Sequence, residues 1–257
     1  MSGFIDAHSH LQDERLKEHL DGVIAKAYEA GITKIVCCGT EEADWPEVKR
    51  IKEKYSDLII PSFGLHPWYI PKRSAGWLKN LENVLTQISS GVGEIGLDFA
   101  LREYDEDEQK KVFEAQLRLA HQLERPVTIH CRQAWEALMD VLEKSGPLKY
   151  GGLVHSYSGA AELIPRLRKF GLSFSFSGSI TRSGNKKGRH SLLAVPSESL
   201  LVETDSPDLS PVGVEGTNEP AHLMMVVKTV AVLLGKSEED IIQMTSQNAM
   251  RLFGILE

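Results

Sequence analysis

Short apolar runs alternate with amphipathic stretches along the chain, and most of the runs stop at a histidine or a carboxylate. The first, Phe4-Ile5-Asp6-Ala7, exits into His8-Ser9-His10. In an extended strand, residues two apart share a face, so this spacing aims both imidazoles the same way. Further strand-like runs follow at 34–38, 58–66, 92–98, 127–131, 152–155, 172–176 and 200–205. Between them, apolar residues recur at helical spacing. The segment 13–30 sets Leu16, Leu20, Val23, Ile24 and Ala27 on one stripe and stops at Gly31. Segment 44–55 turns Val48 and Ile51 inward, with Pro46 where a first helical turn tolerates it. Helices are expected over 77–89, 106–123, 134–144 and 160–170. A basic loop carrying Arg182, Lys186, Lys187 and Arg189 precedes a short helical stretch, and two helices over 222–234 and 238–253 close the chain, the second capped by Ser237.

Eight strands alternating with helices predict an α/β fold, a (β/α)8 TIM barrel, with a doubly wound open sheet as the alternative. The length of 257 residues suits one such barrel, and without linker, repeat or low-complexity tract the span 1–257 reads as a single domain. Composition is that of a globular chain, 42% hydrophobic and 25% charged. No apolar run approaches the roughly 18 residues of a membrane span. A site beginning at His8 leaves no room for a cleavable secretory segment. Cys37, Cys38 and Cys131 are odd in number and lack zinc spacing, so they read as reduced thiols in a cytoplasmic protein. A net charge of −7 argues against a broad basic face coating long nucleic acid, though not against a local basic pocket.

The polar residues that end the runs are His8, His10, His66, Glu94, His130, His155 and Asp205. Any one of them alone reads as a hydrogen-bonded strand terminus. In a barrel, however, all strand ends converge on the face that carries active sites. An ion needs about three or four protein ligands, so seven candidates point to two metals with a carboxylate between them.

These residues lie in a series of motifs: Phe-Ile-Asp-Ala-His-Ser-His at 4–10, Gly-Leu-His-Pro at 64–67, Gly-Glu-Ile-Gly-Leu-Asp at 93–98, Pro-Val-Thr-Ile-His-Cys-Arg at 126–132, His-Ser-Tyr-Ser-Gly at 155–159, Glu-Thr-Asp-Ser-Pro at 203–207 and Asn-Glu-Pro at 218–220. In this order they resemble the TatD-type metal-dependent hydrolases of the amidohydrolase-like barrels. The resemblance implies two divalent ions, with His8, His10, Glu94 and Asp205 around one and Glu94, His130 and His155 around the other. It also implies deoxyribonuclease activity at DNA ends with magnesium or manganese, or deacylation of mischarged transfer RNA. The chain departs from the family at Ser156-Tyr157, at Trp68 where a histidine often stands, and at 207–211. These changes spare every expected ligand and fall where substrate would touch.

On this reading Asp205 is the general base and Glu94 the bridging ligand. Glu203, on the same strand face as Asp205, orients a ligand histidine. Asp6 either does the same for His8 or His10 or is a plain buried, hydrogen-bonded carboxylate. His66 and Arg132 are candidates for contact with an anionic substrate, nucleic acid or a small phosphodiester, and the basic residues after the seventh strand read as surface charge or a phosphate site. His19, His121, His190 and His222 read as surface or packing residues. Zinc is a further candidate metal because imidazole-rich sites favour it. Ester or amide hydrolysis by the same metals is the alternative chemistry, and a non-enzymatic metal-binding scaffold the alternative class. The sequence leaves oligomeric state open. Gly91 to Gly96 spells the dinucleotide fingerprint, but with its glycines inside a strand, where that motif does not function.

Overall fold

The structure, a computed structural model, describes residues 3–254; residues 1–2 and 255–257 of the span read as one domain lie outside the described residues. Eight parallel strands pair in chain order, β1 (Phe4–Ser9), β2 (Ile32–Cys38), β3 (Ile59–Phe63), β4 (Gly91–Asp98), β5 (Val127–Arg132), β6 (Gly152–Val154), β7 (Leu172–Phe176) and β8 (Leu200–Val202). This sequential order is that of the (β/α)8 barrel and excludes the doubly wound alternative, whose strand order reverses. The first and last strands meet through the segments beyond their ends. Asp205 N–H donates to His8 C=O at 3.0 Å and His10 N–H to Ser206 C=O at 2.7 Å. Asp6 adds a side-chain stitch, accepting from Thr204 N–H at 2.9 Å and from the Thr204 hydroxyl at 2.5 Å.

The helices are α1 (Glu14–Lys17), α2 (Leu20–Glu29), α3 (Trp45–Lys54), α4 (Trp77–Gln87), α5 (Glu106–Leu123), α6 (Trp135–Ser145), α7 (Ile164–Arg168), α8 (Lys186–Ala194), α9 (Leu223–Leu234) and α10 (Glu238–Phe253). Their apolar stripes pack on the strands; Val23, Val48, Leu81, Phe113, Leu138 and Val226 join Ile35, Ile59, Val92 and Phe174 in one buried cluster. A second cluster sets Ile5, Val36, Ile60 and Leu201 against Ala249, Leu252 and Phe253 of α10. Asn248 donates to Leu200 C=O at the start of β8, so α10 covers the strand ends opposite the carboxyl face. Ser237 caps α10 in a reciprocal box with Asp240.

Three expectations are corrected. The helix over 13–30 is broken at His19. Asp13 caps a first short helix whose Arg15 is drawn to Asp208 in the loop after β8, while α2 lies on the sheet. The basic loop is in part the first turns of α8, begun by Asn185 accepting from Gly188 N–H; Lys186-Lys187-Gly188-Arg189 carries no apolar period to betray it. Strands β3, β6 and β8 stop early, so His66, His155 and Asp205 stand past their strands. Cys37, Cys38 and Cys131 are free and buried, and none of the described helices is long and apolar enough to cross a membrane.

Candidate metal centre

All eight strands release their chains on one face, and there Glu94 of β4 sits 2% exposed with histidines around both of its oxygens. Oε2 lies 3.3 Å from His8 Nε2 and 3.2 Å from His10 Nε2. Oε1 lies 2.8 Å from His155 Nε2, 3.0 Å from His130 Nδ1 and 3.3 Å from His66 Nε2. Asp205 Oδ1 completes the first side, 3.4 Å from His8 Nε2 and 3.6 Å from His10 Nε2. One carboxylate thus divides the cluster into two groups, the division expected of a bridging ligand.

The β4–β5 contact that presents Glu94 and His130 depends on glycine. A Cβ on Gly96, whose φ is +141°, would lie 2.0 Å from the His130 carbonyl oxygen. On Gly93 it would meet Ser62 Oγ and Thr128 Cβ, both at 2.8 Å. Asp205 has a φ of +55°, a left-handed conformation that Asp tolerates better than most residues.

The donor set fits divalent ions. Glu94 is a buried carboxylate whose named partners are all histidines, with no lysine or arginine among them. Donor separations of 2.8–3.6 Å are those left between groups that share an ion at roughly 2.0–2.2 Å. His8 Nδ1 is buried without a hydrogen-bond partner among the described residues, and His8 Nε2 faces His10 Nε2 at 3.0 Å. Candidate groupings around an ion are His8, His10 and Glu94; His8, His155 and Asp205; and His66, Glu94 and His130.

The other ring nitrogens sort these histidines. His10 Nδ1 donates to Cys38 C=O at 2.8 Å, and His130 Nε2 to Asp98 Oδ2 at 3.1 Å. His155 Nδ1 faces Glu203 Oε1 at 3.4 Å. That is ion-pair distance without a hydrogen bond, while the rings of His10 and His130, when neutral, turn their lone pairs toward Glu94. His66 does the reverse: its Nδ1 accepts from Trp68 N–H at 3.1 Å, leaving a Nε2–H to point at Glu94. In this arrangement it presents Glu94 with a donor, where His10 and His130 present a lone pair.

Electrostatics follow the same geometry. Burial works to raise the Glu94 carboxyl, but the charges of His155 and His66 and the hydrogen bonds of His10 and His130 hold it well below its ordinary value. Burial pushes His8 and His66 down to about 4. Burial also opposes the charged form of His10, yet its bond to Glu94 and the charges of Glu94 and Asp205 lift it to about 9. Asp205 is pushed up to about 7, by burial first and then by Glu203 and Glu94, against His155 and His10.

Glu203 is fixed by Ser156 N–H at 2.8 Å and by the Ser175 hydroxyl, against His155 as its strand position predicts. Asp6 touches His8 only through the backbone N–H, at 3.4 Å; its side chain serves the barrel seam, so of its two readings the buried, hydrogen-bonded carboxylate matches. Arg132 is exposed on the wall of a cavity of about 790 Å³, which His10, His66, Glu94, His130, His155 and Asp205 also line. Of the four basic residues near α8, only Lys187 reaches that wall. His222 bonds Asn218 and caps the turn before α9. Sequence reasoning missed Asp98, held at about 2 because the His130 and Trp68 hydrogen bonds outweigh its burial. The signal was its place at the end of β4, two strand repeats past Glu94.

A barrel with this cluster on its carboxyl face defines a metal-dependent hydrolase. The sequence profile of the TatD related DNase family matches residues 5–254, and the chain belongs to that family. It is 32% identical over 254 residues to an uncharacterized metal-dependent hydrolase, YabD, of Bacillus subtilis, covering 97% of this chain and 98% of that one. It is 29% identical over 260 residues to the 3'-5' ssDNA/RNA exonuclease TatD of Pantoea ananatis, covering 96% of this chain and 98% of the relative. The crystal structure of YJJV, a TatD homolog from Escherichia coli, superposes with a TM-score of 0.89 at 29% identity, over 98% of each chain.

Proposed function

We infer that this hydrolase cleaves phosphodiester bonds at nucleic-acid ends, and that Glu94 with the histidines around it would hold two divalent ions. The division of five histidines between Oε1 and Oε2 is the observation that carries this reading, and the relatives named for DNase and exonuclease activity support its substrate class. His8, His10, Asp205 and Glu94 would hold one ion, and His130, His155 and Glu94 the other. Bound there, such ions supply Lewis-acid activation of a water and of the phosphoryl oxygen. Asp205 takes the proton from the attacking water, being the cavity-wall carboxylate at the last strand end, beside His8 and His10. His66, with its Nε2–H directed at Glu94, steadies that carboxylate at the cavity wall where an anionic substrate would enter. Glu203 and Asp98 hold the His155 and His130 rings in place. Arg132 and Lys187 bind neighbouring phosphates as charges on the cavity wall.

Metal analysis with parallel assays on a DNA oligonucleotide, a simple phosphodiester and an aminoacyl ester tests this, comparing wild type with Asp205→Asn and Glu94→Ala. The expected result is two ions per chain and shortening of the oligonucleotide from an end by wild type, slowed about 100-fold or more in Asp205→Asn and lost in Glu94→Ala. Intact, metal-loaded protein that cleaves only the aminoacyl ester, or nothing, contradicts it.

A further inference from the structure

Trp68 stands in the 3-10 turn Pro67–Lys72 that follows β3, on the cavity wall, with 49% of its surface exposed. The ring is held in place. Its Nε1–H donates to Asp98 Oδ2 at 2.7 Å, and its ring lies 5.1 Å from that of His66 and 6.5 Å from that of His130 between centroids, at interplanar angles of 87° and 70°. An aromatic surface is thus fixed beside the centre at which a phosphodiester would be cut, with half of it left open. Arg132 and Lys187 line the same cavity and make no ion pair among the described residues. The volume of about 790 Å³ is within the range of sites that enclose a small ligand. Aromatic faces of this kind recognise nucleobases without regard to sequence, because every base has a π face; each stacked base is worth about tenfold to a hundredfold in binding.

Resting on the phosphodiesterase reading above, we propose that Trp68 is a stacking platform for the base of the nucleotide next to the scissile phosphate, so that the protein selects base-bearing ends over phosphodiesters that lack a base. The competing role is that of a positioning residue only, holding Asp98 and through it His130. Two substitutions separate the roles. Trp68→Phe keeps an aromatic face and removes the donor to Asp98, whereas Trp68→Ala removes both.

The test compares kcat/KM for single-stranded oligonucleotides that end in a normal or an abasic nucleotide, with manganese-loaded protein. Wild type is expected to prefer the normal end by about tenfold to a hundredfold. Trp68→Phe keeps most of that ratio while slowing both substrates, and Trp68→Ala brings the ratio close to one. A ratio that Trp68→Ala leaves unchanged, or that Trp68→Phe and Trp68→Ala reduce equally, overturns the proposal. If wild type cuts neither oligonucleotide, the phosphodiesterase reading fails and the stacking claim is judged by binding alone. A nucleoside monophosphate should then quench tryptophan fluorescence in wild type and not in Trp68→Phe, while binding Trp68→Ala at least tenfold more weakly by calorimetry. Equal quenching in wild type and Trp68→Phe, or equal affinity in wild type and Trp68→Ala, refutes the platform.

Discussion

A histidine offers a lone pair to a cation only when the proton sits on its other ring nitrogen, and the partners of those outer nitrogens divide the cluster by role. Cys38 C=O and Asp98 leave His10 and His130 with a lone pair toward Glu94, and Glu203 lies at ion-pair distance from His155, while Trp68 N–H turns His66 toward donation. Sequence spacing brought out the histidines themselves, because each interrupts an apolar run. It carried no information on these outer partners, which come from other strands, so Asp98 was passed over and Asp6 stayed ambiguous. Asp98→Asn removes the charge behind His130 and should weaken metal affinity about 10–100-fold, measured by competition with a chromogenic chelator; unchanged affinity would show that His130 needs no such support. The depressed histidines also give ion-free protein an acid sensitivity. Burial lowers His66 and His8 from 6.5 to about 4, so the folded state resists the protons that the unfolded chain accepts. Their contribution is complete above about pH 6.5 and is lost as pH falls through 4, at about 1.4 kcal/mol for each pH unit between the two values. His10, lifted to about 9, has the opposite sign and loses its contribution as pH rises through that value. Melting of ion-free His66→Gln between pH 7 and 4.5 should fall less steeply than that of wild type, and parallel curves would contradict this.

At the scale of elements, the ends of the strands matter more than their middles. The strand order was legible because each apolar run is short, bounded and followed by a helical period. The exact ends of β6 and β8 were not, since His155 and Asp205 continue the run in sequence while the backbone has already left the ladder; Asp205 reaches φ +55° there. The start of α8 was hidden for the complementary reason, a helical turn made of charge and glycine whose cap, Asn185, closes on Gly188. Close packing of β4 on β5 is the element-level requirement of the site. Gly96→Ala should destabilise the protein by on the order of 3 kcal/mol through overpacking and backbone strain, and reduce metal binding by displacing His130. Gly184→Ala, with nothing within 4 Å of the added methyl, is the neutral control in the same denaturant titration. Equal stability of the two variants would contradict the account of the β4–β5 contact.

Over the whole molecule, the barrel gathers residues 197 positions apart, Ser9 and Ser206 among them, into one seam beside the ligands. The fold class could be read from alternation alone, and the residues that cluster on the carboxyl face from what ended each run. The proposed substrate preference could not, because it would rest on side chains such as Trp68 and Lys187 whose meeting on one cavity wall is a product of the closed sheet. Ions bound by residues of β1, β4 and β5 and of the segments just past β6 and β8 should stabilise the chain. At a hundred times its dissociation constant each would add about 2.7 kcal/mol, or roughly 5–10 °C of melting temperature for a chain of this size. Stripping with a chelator should remove that increment and re-addition of manganese restore it. The measurement that bears most directly on the central claim is nucleotide release from a single-stranded DNA oligonucleotide, followed with manganese-loaded wild type and Asp205→Asn side by side. The predicted result is stepwise release from one end by wild type, slowed about 100-fold or more in Asp205→Asn with its ions still bound; release at the same rate by both, or by neither, would contradict it.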